Sequence, residues 1–130
     1  MSLHLRIARP VTDLKAITSM YSQGLGLSVI GSFADHDGFD GVMLGKPSAT
    51  YHFEFTKCKA HPVLPGPTCE DLVIFYIPEV AEWETTCANM SKAGFKQVAA
   101  FNPYWDMRGK SYEDIDGYRV VLQHDKWHPK

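Results

Sequence analysis

Side chains that could transfer a proton or bind a metal ion are common in this 130-residue chain, but few are spaced for it. The six histidines are scattered, at positions 4, 36, 52, 61, 124 and 128, and no HExxH-like motif occurs. Only His52 and Glu54 have a useful spacing, because side chains two apart on a β-strand share a face. We therefore consider an acid–base pair of His52 and Glu54, against the plainer alternative of a packed histidine.

Composition and the remaining motifs exclude several classes of protein. The chain has no GxSxG or P-loop motif, and Gly24-x-Gly26 lacks the third glycine of a dinucleotide fingerprint. A formal charge of −2 predicts no nucleic-acid partner, and no apolar run is long enough to predict a membrane span. Three cysteines without a CxxC motif predict reduced thiols and a cytoplasmic location.

The elements that must position these residues occur twice. Residues 6–25 and 72–91 each read as a short strand, a break and a helix, and Asp13 lies 66 positions before Glu79. Thr12 is the predicted N-cap of the first helix, and Pro78 suits the first turn of the second. The predicted strands span about 4–9, 28–34, 40–44 and 50–56 in the first copy, and 72–77, 95–99, 110–113 and 118–123 in the second.

This pattern predicts one α+β domain over residues 1–130, made of two βαβββ modules. Module one spans about 4–57, a proline-rich linker spans 58–70, and module two spans about 71–124. Each predicted sheet has one face covered by its helix. We expect the two uncovered faces to combine into an eight-stranded cup.

Four segments resemble the vicinal oxygen chelate superfamily, which comprises glyoxalases, bleomycin resistance proteins and extradiol dioxygenases. They are the opening RIARPVTD, the helix exit GLGL, the strand YHFEFT and the closing EDIDGYR. The segments HDGFDGVMLGKP and FNPYW further resemble a bacterial subgroup of glyoxalase-like proteins, the YycE type. The likeness covers about residues 4–123.

In that superfamily a divalent metal binds side chains at four strand positions, which here are Arg6, Glu54, Leu72 and Val121. Only Glu54 can ligate a metal, because a guanidinium has no lone pair to offer and the aliphatic side chains have no donor. We therefore expect no cofactor. A divalent metal bound by Glu54, with help from His52 or His4, is the runner-up.

Strand alternation would then place further polar side chains among apolar ones in the cup. The expected ligand-binding residues are Arg6, His52, Glu54, Tyr76 and Arg119 on the strands, with Tyr104 and Trp105 on a rim loop. Asn102 and His36 are weaker candidates on that rim. A buried carboxylate needs a partner, so Arg6 and Glu54 are predicted to form an ion pair where the metal would bind.

The leading functional prediction is the binding of a small organic molecule in a metal-free cup. The alternative is a lyase, isomerase or dioxygenase of the same superfamily, either metal-dependent or using Glu54 as its catalytic base. The resemblance also implies a homodimer.

Overall fold

Each half of the chain folds into a four-stranded mixed sheet with a helix on one face. The computed structural model describes residues 3–129. They form two compact units that divide between Pro65 and Gly66, inside the predicted linker, and we keep the names module one and module two for these units. Module one contains β1 (Leu5–Pro10), α1 (Leu14–Leu25), β2 (Ser28–His36), β3 (Phe39–Gly45) and β4 (Tyr51–Cys58).

Module two repeats the order with one addition. It contains β5 (Leu72–Tyr76), α2 (Val80–Lys92), β6 (Lys96–Val98), α3 (Tyr104–Met107), β7 (Gly109–Glu113) and β8 (Arg119–Gln123). The prediction had a loop where α3 lies. Pro103, with its φ of −58°, starts a helical turn there, and the Asn102 side chain accepts a hydrogen bond from the Tyr104 N–H at 3.0 Å. No helix within residues 3–129 is long and apolar enough to cross a membrane.

The two sheets share one topology. Their strand orders are β1-β4-β3-β2 and β5-β8-β7-β6. The first strand of each module pairs in parallel with the last, and the other pairs are antiparallel. Arg6 lies opposite His52 in module one, and Leu72 lies opposite Arg119 in module two. The α+β class with two βαβββ modules is therefore confirmed.

Both long helices begin with an acidic cap, which corrects two predictions. Asp13, and not Thr12, is the N-cap of α1, and its carboxylate accepts a hydrogen bond from the Ala16 N–H at 3.0 Å. Glu79 caps α2 in the same way, so Pro78 lies outside that helix and not in its first turn. A carboxylate at this end is also favoured by the helix dipole.

Apolar side chains between helix and sheet form the core of each module. In module one the Tyr21 ring packs on Phe53 and Phe55, with centroids 5.3 and 4.7 Å apart. In module two the hydroxyl of buried Tyr112 donates to the Cys87 carbonyl at 3.3 Å. Because side chains alternate along a strand, the intervening residues lie on the opposite side of each sheet. We call that side the open face of the module.

Candidate functional site

Four polar side chains meet on the open face of module one. Arg6 on β1 lies opposite His52 on β4, and Glu54 follows His52 by two residues on the same face. His4 precedes Arg6 by two residues. The parallel pairing of β1 with β4 therefore brings together His4, Arg6, His52 and Glu54, although at least 46 positions separate the two pairs in the sequence.

Arg6 is the centre of this cluster. Its Nε donates to His52 Nε2 at 2.9 Å, and its Nη1 donates to Glu54 Oε2 at 3.2 Å. Its Nη2 points to the Met43 sulfur at 3.8 Å. The predicted ion pair between Arg6 and Glu54 is thus present, with the arginine side chain 51% exposed and the glutamate 16% exposed.

The hydrogen bonds also fix the proton on His52. An arginine nitrogen can only donate, so His52 Nε2 must be the acceptor. The neutral ring then carries its proton on Nδ1, which lies 2.6 Å from His4 Nε2 and donates to it. Burial, the Arg6 charge and His4 lower the pKa of His52, while Glu54 opposes them. This ring is therefore a neutral link between two side chains, and the spacing of His52 and Glu54 does not make them a directly bonded acid–base pair.

The cluster does not fit a bound metal ion. Arg6 directs its charge at Glu54, which is the one carboxylate that could ligate at this place. The equivalent positions in module two, judged by strand register, are Leu72 and Val121, and both are aliphatic. Among residues 3–129, neither module brings three His, Cys, Asp or Glu side chains close enough to hold a metal. The donor set is therefore wrong for the superfamily's usual Lewis-acid chemistry.

Apolar side chains continue the open face beyond Arg6. The Phe33 ring lies where a Cβ on Gly41 would be, and the Met43 methyl group lies 2.9 Å from the place of a Cβ on Gly31. These two glycines therefore let Phe33 and Met43 lie flat against the sheet. The surface around Arg6 thus combines two apolar side chains with one guanidinium, one carboxylate and two imidazoles, and such a mixture of apolar and polar groups suits a small molecule.

The predicted residues of module two occupy two separate places. Arg119 Nε donates to Glu113 Oε2 at 3.0 Å, forming an ion pair of its own across β7 and β8. Tyr76 and Tyr104 line a cavity of about 300 Å³ together with the C-terminal residues 125–129. Trp105 packs its ring edge against Tyr104, with centroids 4.9 Å apart, and does not line that cavity.

The two weaker candidates have structural partners close by. The Asn102 side chain accepts a hydrogen bond from the Tyr104 N–H, so it stabilises the start of α3. His36 is the last residue of β2, and its side chain is 79% exposed and lies 3.8 Å from the Asp37 carboxylate.

Sequence reasoning gave too little weight to one residue of the cluster, His4, and to one residue beside it, Met43. His4 is predicted only as an additional ligand of the alternative metal site, and its bond to His52 depends on the β1–β4 register, which spacing along one strand does not reveal. Met43 was not considered at all. The available signal was its alternation with Gly41 and Gly45 on β3, which places it on the same face as Glu54.

Comparison with protein families gives a match in each half of the chain. Residues 5–56 match the model of the YycE-like N-terminal domain, and residues 70–124 match the model of the YycE-like C-terminal domain. The uncharacterized YycE protein of Bacillus subtilis (strain 168) is 40% identical over 122 residues, which cover 94% of this chain and 88% of that protein.

Solved structures extend the comparison. A crystal structure of a YycE protein of unknown function from Bacillus subtilis is similar with a TM-score of 0.89 and 38% identity, covering 98% of this chain and 93% of that one. A trypanothione-dependent glyoxalase I from Leishmania major has a TM-score of 0.72 at 21% identity, covering 96% and 88%. The antibiotic binding protein TnmS3 from Streptomyces has a TM-score of 0.66 at 16% identity, covering 97% and 98%. The last two likenesses show the fold alone.

Proposed function

The chain belongs to the YycE-like family of the vicinal oxygen chelate superfamily, and on that premise we propose that it binds a small organic molecule without a metal ion. The proposed site is the open face of module one. Its polar residues are Arg6, His52 and Glu54, and its apolar surface includes Phe33 and Met43. A fold shared with both an enzyme and an antibiotic binding protein does not choose between catalysis and binding, so the proposal rests on the site.

The observation that supports this proposal is the ion pair between Arg6 and Glu54. An ion pair with an exposed partner contributes only about 0–1 kcal/mol to stability, so stabilising the fold is not its main effect. Its larger effect is chemical, because it neutralises the carboxylate and presents a half-exposed guanidinium beside apolar side chains. Such a surface suits an organic ligand with an acceptor group better than a cation.

Metal analysis is the first test. We expect protein purified without chelator to contain far less than one equivalent of zinc, nickel, manganese or iron. The matched variant is Glu54→Gln, which removes the one carboxylate of the cluster. A stoichiometric metal in the wild-type protein that is lost in Glu54→Gln would overturn the proposal and favour the metal-dependent alternative.

A thermal-shift screen tests binding itself, using antibiotics, thiol conjugates and aromatic acids as probes. A ligand that binds the native state raises the unfolding midpoint. We expect the shift caused by a true ligand to be lost in Arg6→Met and retained in Lys92→Met, which removes an exposed cation on α2. Equal shifts in the wild type and Arg6→Met would place the ligand elsewhere.

The enzymatic alternative makes a different prediction for the same variants. A lyase, isomerase or dioxygenase that uses Glu54 as base would turn its ligand over, and Glu54→Gln would abolish turnover while retaining binding. Product detection by mass spectrometry, with each ligand from the screen, distinguishes the two functions. We expect the ligand to be recovered unchanged.

We further propose that the protein is a cytoplasmic homodimer. The nine-residue strand β2 forms the edge of its sheet and exposes the apolar side chains of Val29 and Ile30, each at least half exposed. An exposed apolar edge strand favours association with a second chain. Sedimentation velocity should show a dimer, and Ile30→Lys should give a monomer.

A further inference from the structure

We propose that module two contains a second binding site, for planar aromatic carboxylates, in the cavity formed by Tyr76, Tyr104 and residues 125–129. This site lies on β5, α3 and the C-terminal segment, and none of its residues belongs to the Arg6 cluster. The inference therefore does not depend on the function proposed for module one.

Hydrogen bonds hold the chain immediately before the C-terminal wall of the cavity. On the C-terminal side, the His124 N–H donates to the Arg108 carbonyl at 2.7 Å, and Arg108 Nε donates to the His124 carbonyl at 3.1 Å. On the other side, Tyr104 is the first residue of α3, and Tyr76 is the last residue of β5. The two bonds with Arg108 anchor the start of the segment beyond β8, at His124.

Three aromatic side chains in the wall present their rings to solvent. Tyr76 is 36% exposed, Tyr104 44% and Trp127 62%. Stacking and edge-to-face packing on such rings favour a flat aromatic partner over an aliphatic one. The volume, about 300 Å³, lies at the lower end of ligand pockets and fits a molecule of one or two rings.

The wall contains a cation that could bind an anionic ligand. Asp125 is already engaged, because one oxygen accepts from the Lys126 N–H at 2.8 Å and the other lies 3.6 Å from Arg108 Nε. Lys126 also lines the cavity. Within residues 3–129, its ammonium group makes no hydrogen bond or ion pair. A carboxylate on the aromatic ligand would supply that partner.

Calorimetric titration with 2-naphthoate tests the proposal. We expect saturable binding of one molecule per chain, roughly tenfold or more tighter than that of 2-naphthamide, which lacks the charge, or cyclohexanecarboxylate, which lacks the aromatic ring. Trp127→Leu and Lys126→Gln should each weaken 2-naphthoate about tenfold, and Trp127→Phe should retain most of the affinity.

Controls make either result decisive. Phe39→Leu and Lys92→Gln alter an exposed ring and an exposed cation outside the cavity, and both should bind like the wild type. Arg6→Met should also bind 2-naphthoate normally, which separates this site from the one proposed in module one. No saturable binding, or binding that is insensitive to Trp127→Leu but lost in Arg6→Met, would overturn the inference.

Discussion

Arg6 shapes the chemistry of module one because each of its three nitrogens faces a different side chain. They face His52, Glu54 and Met43, so the guanidinium orients a ring, a carboxylate and a thioether at once. The resemblance, which puts Arg6 and Glu54 at converging metal-ligand positions, predicted their pairing, since a buried carboxylate needs a partner. It could not predict the His4–His52 bond, because that contact depends on how two distant strands align.

Replacing His52 with glutamine should make stability less sensitive to acid. The pKa of His52 is lowered in the folded protein, so the unfolded chain takes up the proton first as pH falls below about 6.5. The free energy of unfolding therefore falls below that pH, with a slope from this group of at most about 1.4 kcal/mol per pH unit. Urea denaturation from pH 7.5 to 5 should show a shallower decline in His52→Gln.

The control for that experiment is His36→Gln, which replaces an exposed histidine at the end of β2. Its decline should match that of the wild type. A wild-type protein that becomes more stable between pH 7 and pH 5.5 would contradict the prediction, because it would mean that the folded state binds the proton better.

Replacing Arg6 and Glu54 together should lower the free energy of unfolding less than replacing Arg6 alone. Arg6→Met leaves the mostly buried Glu54 carboxylate without its cation, and because Arg6 is half exposed we expect the free energy of unfolding to fall by only about 1 kcal/mol. Adding Glu54→Gln removes the stranded charge and should restore part of that loss. Chemical denaturation of the two single variants and the double variant gives the coupling energy, and strictly additive effects would show that the pair is not coupled.

Two glycines of module one make room for the apolar side chains that lie beside this cluster. Gly41 on β3 provides the space in which Phe33 lies flat, and Gly31 on β2 does the same for Met43. The sequence predicted these strands and their approximate bounds from alternation and turn residues. It did not show which side chain covers which glycine, because that depends on the β2–β3 register and its two irregularities.

Gly41→Ala should destabilise the protein more than Gly31→Ala. A methyl group at Gly41 would overlap the rigid Phe33 ring, so the ring must leave its place, at a cost of about 1–3 kcal/mol. At Gly31 the obstacle is the end of a flexible methionine, which can rotate away. Thermal unfolding measures both, and Phe33→Ala should largely abolish the added cost of Gly41→Ala. An equal loss of stability in the two glycine variants would show that the Phe33 ring is not the greater obstacle.

The N-termini of the helices show a second limit of predicting secondary structure from sequence. Thr12 and Asp13 are adjacent and both suit an N-cap, so the choice between them depends on which residue leaves the strand conformation last. The structure selects Asp13, with φ −137° and ψ 99° before the first helical residue. The α3 turn was missed because Asn-Pro followed by aromatic residues is equally compatible with a loop.

At the scale of the whole molecule, the repeated pattern was the most reliable signal. An offset of 66 residues predicted two modules, and both sheets have the same strand order and the same parallel pair. Glycines recur at matching places as well, since Gly41 lies opposite Thr56 and Gly109 lies opposite Gln123. The repeat could not predict where the two modules differ in chemistry. Module one has a polar cluster around Arg6, whereas module two has the aliphatic residues Leu72 and Val121 at the matching positions.

The three thiols should report the folding of the whole molecule. All three cysteines are free, with Cys69 exposed, Cys58 partly buried and Cys87 buried. Burial raises the pKa of the Cys87 thiol, which further lowers its reactivity because the thiolate is the nucleophile. With Ellman's reagent, native protein should release one equivalent fast, from Cys69, and a second more slowly, from Cys58. Cys87 should react only when module two unfolds.

Two single variants assign these phases. Cys69→Ser should remove the fast phase, and Cys58→Ser the slower one, while denatured wild-type protein should release three equivalents. The Cys87 rate should rise with urea in step with loss of tertiary signal, because the thiol packs among the α2 and β7 core residues that separate only on unfolding. A fast native reaction at Cys87, or fewer than three equivalents from unreduced denatured protein, would contradict this account and the assignment to a reducing compartment.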